Sequence, residues 1–75
     1  MLQAVFLEEL QDLLQRDAPI APDMALQDMA EWDSLAVMSC MAYFDKQFKV
    51  KTRISQYKQL ATVADLIALA GGAIL

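Results

Sequence analysis

The sequence predicts an all-α protein: a small four-helix bundle, three main helices and one short one, with a long loop between the first and second helices. Three observations carry that expectation. Apolar residues near the start recur at spacings of three and four, an Asp-Ser pair opens a nearly uninterrupted apolar stretch, and no segment alternates apolar and polar residues as a half-buried strand does. A chain of 75 residues has room for one modest core, so residues 1–75 are expected to form a single domain. Hydrophobic residues make up 57% and charged ones 21%, which places the chain among folded domains and outside the disordered class.

The first helix is expected over about 2–15. Leu2, Val5, Phe6, Leu10, Leu13 and Leu14 form one apolar stripe, with Glu8, Glu9, Gln11 and Asp12 between them. Pro19 and Pro22 cannot continue it, because each lacks a backbone N–H, so Arg16 to about Asp33 reads as loop. That loop contains Ile20, Met24, Leu26, Met29 and Trp32, which are unfavourable in water, so it is expected to lie packed across the helices. Asp33 or Ser34 can cap a second helix over 34–48 by accepting from a free first-turn amide. "KVKTR" breaks the pattern, and "ISQYKQ" suits only a short third helix within 54–60. Thr62 with Asp65 is a variant of the capping box for a fourth helix over 62–70, carrying Val63, Leu66, Ile67 and Ala70 and ended by Gly71 and Gly72.

Composition removes several classes of function. Cys40 is the only cysteine and histidine is absent, so an internal disulfide, a cysteine zinc site and a self-contained Ser-His or Cys-His catalyst are all excluded. No catalytic or metal-binding residue is expected, and the chain does not read as an enzyme. The net charge of −4 is divided unevenly: residues 1–33 hold eight acids against Arg16, whereas residues 34–75 hold five cations against Asp45 and Asp65. An acidic chain without a concentrated basic patch is poorly suited to nucleic acid, where phosphate contacts dominate affinity. No apolar run is long enough to span a bilayer, and Glu8 and Glu9 stand where a signal sequence would be apolar, so a cytoplasmic protein without membrane contact is expected.

The second helix raises the functional question. In "EWDSLAVMSCMAYF", residues 31–44, only Ser39 is polar among the ten residues after the Asp-Ser pair. Val37, Cys40, Phe44 and Phe48 fall along one side, and Met38, Met41 and Ala42 on another. A small bundle cannot easily cover both sides, so part of this surface is expected to stay open for a partner, with methionine able to fit more than one shape. The alternative is that all of these residues are core. Ser34 has no base to activate it, so its roles are a helix cap or a site modified by another enzyme.

The order of elements and two motifs resemble the acyl carrier protein family across nearly the whole chain. The motifs are Asp33-Ser34-Leu35 with its following helix and the Thr-Val-x-Asp-Leu of "LATVADLIAL", residues 60–69. Either motif alone is common, and the two at this separation are more specific. The resemblance implies that a separate phosphopantetheinyl transferase attaches 4′-phosphopantetheine to Ser34, with Asp33 helping the transferase and Leu35 helping partners dock. It implies a carrier of acyl intermediates, held as thioesters on the cofactor, that serves acyl-loading and synthase enzymes as a monomer. Such an arm carries the reactive atom while the protein supplies a site and a surface. Partner contacts are expected from Trp32, Leu35, Met38, Met41, Ala42 and Asp45, and an acyl pocket between the second and third helices from Phe44, Phe48, Ile54 and Leu60.

Two departures from the family pattern bear on specificity. Glu31 and Trp32 stand before the Asp-Ser pair where a glycine is usual, and Trp32 either plugs the loop onto the bundle or shapes the surface beside the arm. After the serine, Asp45 is the only acid on the helix, with Ser39 and Lys46 at places where acids are expected, so partner choice depends more on apolar contacts. Of the fatty-acid, polyketide and specialised lipid pathways such a carrier serves, these features favour a dedicated one, for polyketide, modified lipid or another secondary acyl product, over general fatty-acid synthesis. An aminoacyl or peptidyl carrier is the alternative within the same chemistry, and an unmodified helical adaptor is the alternative outside it.

Overall fold

The computed structural model describes residues 1–75 and contains four helices in the order α1 (Gln3–Leu14), α2 (Ser34–Phe48), α3 (Ile54–Lys58) and α4 (Val63–Ala68). There is no strand, only an isolated bridge between Ala25 and Thr62. The all-α expectation holds. No helix is long and apolar enough to cross a membrane.

One apolar cluster of 14 residues forms the core. Phe6, Leu10 and Leu14 enter it from α1, spaced so that each returns to the same face after about one turn. Ala36, Cys40 and Phe44 enter from α2, Tyr57 from α3, and Val63 and Leu66 from α4. Phe44 is the hub of the aromatic packing: its ring lies 6.0 Å from Phe6, 5.4 Å from Phe48 and 6.5 Å from Tyr57, each near edge-to-face. Tyr43 donates to Glu9, tying α2 to α1 at the border of this cluster.

The long loop belongs to the core, as its composition implies. Leu26 is 0% exposed on a single 3-10 turn (Leu26–Asp28), and Ile20 and Met29 are also buried. Its backbone is pinned to the entry of α4: the Leu26 amide donates to Ala61 O at 3.0 Å, Val63 to Met24 O at 3.0 Å and Ala64 to Pro22 O at 2.8 Å. Arg16 closes the other end by pairing with Glu31 at 2.9 Å.

The second helix spans the expected 34–48, whereas α1, α3 and α4 are each shorter than expected. Asp33 is the cap of α2, accepting from the Ala36 amide at 2.9 Å, which leaves Ser34 as the first helical residue. At α4 the capping box is formed in both directions: Asp65 N–H donates to Thr62 Oγ1 at 3.3 Å, and Thr62 N–H to Asp65 Oδ2 at 3.1 Å. The short third helix stops at Lys58, and α4 stops at Ala68 instead of reaching residue 70. Beyond Ala68 the amides of Ala70 and Gly71 bond three residues back, to Ile67 and Ala68, so the chain tightens and then turns through Gly71 and Gly72 at φ of 64° and 94°. This turn brings Ile74 back into the core, and Leu75 pairs with the backbone of Met1 and Gln3.

Candidate functional site

Ser34 is exposed, and its hydroxyl makes no hydrogen bond within the chain. The local sequence explains why. Because Asp33 occupies the capping position and satisfies Ala36, the serine is released from capping and held by helical backbone at the head of a 15-residue helix. The amides of Ser34 and Leu35 have no acceptor in the chain, as expected at a helix start. These two donors and the aligned peptide dipoles make the position favourable for a negatively charged group.

Beside the serine lies a cleft of about 350 Å³ between α2, α3 and the end of the long loop. Val37 and Met38 form its α2 wall, Ile54 and Tyr57 its α3 wall, and Trp32 the loop side. Asp33, Ser34, Gln27 and Lys58 provide its polar groups. The Trp32 and Tyr57 rings stand 6.5 Å apart, so Trp32 both packs the loop onto α3 and shapes the cleft. Burial pushes the Tyr57 phenol above its ordinary pKa, against a lowering effect from its 2.8 Å hydrogen bond with Thr52.

The opening of the cleft is apolar. On the cleft Met38 is 60% exposed and Ile54 51%, and Leu35, next to Ser34 in the chain, is 72% exposed. Leu35 borders a separate groove, with Leu13, Ala36 and Asp33. Met41, Ala42 and Asp45 lie farther along α2, where they line a separate depression with Lys51 and Thr52.

The four positions expected to form an acyl pocket do not line one cavity. Ile54 alone borders the cleft. Phe44 is 0% exposed because it lies on the inward stripe of α2 with Ala36 and Cys40. Phe48 is packed on Phe44 and Tyr43 beyond it, and Leu60 faces a depression shared with Asp65 and Leu69. The sequence pattern gave Gln27 and Lys58 no functional role and placed Val37 only on one side of α2. Ile54, Tyr57 and Lys58 have the i, i+3, i+4 spacing of one helical face, which was a usable signal; Gln27 lies in a loop and gave none.

Cys40 is buried on the same inward stripe, and burial pushes its thiol up to about 12, leaving it protonated and unreactive near neutrality. No group of His, Cys, Asp and Glu residues is arranged to hold a metal ion.

The sequence profile of the family described as "Phosphopantetheine attachment site" matches residues 4–70. Among solved structures, the solution NMR structure of the holo acyl carrier protein from Geobacter metallireducens is similar, with a TM-score of 0.70, 20% sequence identity, and coverage of 89% of this chain and 78% of that one. The search of curated proteins returns no match. The family match defines a small helical carrier domain, one that bears a tethered group and does not catalyse. The chain belongs to the phosphopantetheine-attachment family, and its prosthetic group is a covalently attached 4′-phosphopantetheine.

Proposed function

We propose that Ser34 is the attachment residue and that the protein is a free-standing acyl carrier of a separate-subunit system. The observation that carries this reading is the free Ser34 hydroxyl at the head of α2, opening onto a half-apolar cleft. The residues fit the group: the serine oxygen is accessible, and the Ser34 and Leu35 amides are open to the phosphate that would be joined there. When bound, the arm supplies a terminal thiol that holds an acyl group as a thioester. The chain's own residues place the arm and limit access to it. Trp32, Val37, Met38, Ile54 and Tyr57 offer an apolar surface on which a short acyl chain could shelter.

In this reading Asp33 holds the helix start in shape for a phosphopantetheinyl transferase, while Leu35, Met38 and Trp32 meet partner enzymes around the serine. Met41, Ala42 and Asp45 extend that surface along α2. The single acid on α2 supports docking by apolar contact more than by charge steering, and hence a dedicated polyketide or specialised lipid pathway in the cytoplasm, with the carrier acting as a monomer.

The test is the intact mass after incubation with coenzyme A and a broad-specificity transferase, with Ser34→Ala in parallel. The parent is expected to gain one phosphopantetheine and the variant none. If Ser34→Ala gains the same mass, attachment lies elsewhere, and if folded parent gains nothing even with transferases from its own source, α2 is better read as an adaptor surface. Loading of the arm by amino-acid-activating enzymes, and not by acyl-activating ones, would instead establish the aminoacyl or peptidyl alternative.

A further inference from the structure

Lys58 is the only cation bordering the cleft beside Ser34. It has no acidic partner, because the single ion pair in the protein joins Arg16 to Glu31. The one other charged group on the cleft is Asp33, whose carboxylate is engaged by the Ala36 amide. Ser34, with its open helix-start amide, and Lys58, with its free ammonium, therefore border one cleft whose walls are Val37, Met38, Ile54 and two aromatic rings. Lys58, Met38 and Ile54 are all exposed, so any attraction between that ammonium and an anion acts at the open mouth of the cleft and is screened by salt. Gln27, on the loop, adds an uncharged amide able to donate to the same group.

We propose that Lys58 is the cation that holds an anionic group in the cleft beside Ser34. The anion is tethered through the serine: either the phosphodiester of the arm or a carboxylate at the far end of a carried acyl group. In the first case Lys58 keeps the arm against α3 whatever it carries. In the second it selects dicarboxylic cargo, since a neutral chain of equal length leaves the ammonium without its partner. The proposal rests on Ser34 as the attachment residue.

The experiment compares the parent with Lys58→Gln and Lys58→Arg, each loaded by transferase with plain, acetyl or succinyl phosphopantetheine from the corresponding coenzyme A. Intact mass establishes loading first, so a failure of attachment is seen separately from a failure of Lys58; a chain that never loads removes both readings. The readouts are the indole N–H resonance of Trp32 and the titration midpoint of a 13C-labelled succinyl carboxylate. If the phosphodiester is the partner, the indole resonance moves on attachment of the plain arm in the parent and the arginine variant, and that shift is lost in the glutamine variant. If the cargo carboxylate is the partner, only the succinyl arm produces the shift, and its midpoint falls below that of free succinyl coenzyme A in the parent but not in Lys58→Gln. Identical indole positions and midpoints in the parent and Lys58→Gln, for every arm, overturn the proposal.

Discussion

The Ser34 hydroxyl is free because its neighbour performs the capping that a serine at a helix start often performs for itself. The two residues should therefore respond differently to truncation. Asp33→Ala removes the acceptor of the Ala36 amide and is expected to lower stability by about 1 kcal/mol, whereas Ser34→Ala should cost a few tenths at most, both read by urea unfolding. Equal losses would mean that the serine shares the capping. Cys40 offers a second residue-scale test. With its thiol pushed up to about 12 by burial, it should resist iodoacetamide at pH 8 in the folded protein and react at the rate of an ordinary thiol in denaturant. Rapid labelling under native conditions would show that α2 opens locally.

Among the helices, α4 is six residues long and depends on its first turn. The Ala61 and Thr62 amides that donate to Asp65 hold its carboxyl below the ordinary value of 3.8. A depressed folded pKa means that this contribution is complete above the unfolded value and is lost as pH falls through the lower, folded one. Asp65→Asn keeps an acceptor but removes the titration, so stability measured from pH 5 downward should fall less steeply than in the parent. An unchanged acid limb would place the sensitivity elsewhere, with Glu31 the first candidate, since its own backbone amide and Arg16 also lower its pKa.

In the molecule as a whole, the long loop is as much core as any helix. Leu26 has no exposure, and the loop beside it hydrogen-bonds to the α3–α4 junction. Leu26→Ala should therefore cost about 2–5 kcal/mol, the range for a leucine in a packed core, and not the small change usual in a surface loop. Chemical denaturation measures it, and a loss below about 0.5 kcal/mol would show that the loop closes over a core formed without it. The same packing supports the cleft, because Trp32 reaches Tyr57 only when the loop is seated.

The helices, their order and the buried loop were legible in sequence because each rests on local chemistry or on simple hydrophobic accounting. Apolar residues recur with the helical period, proline interrupts it, and five large apolar residues in one loop must find cover. The proposed attachment motif, Asp33-Ser34-Leu35, could be picked out in sequence because it is contiguous. The membership of the cleft was not legible. Ile54 borders it and Phe44 does not because the inward stripe of α2 directs Phe44 into the aromatic cluster, while α3 presents Ile54 at the rim. Lys58, Gln27 and Ser34 come from three separate elements, and the distance between such residues depends on how helices and loop pack, which no local pattern along the chain encodes.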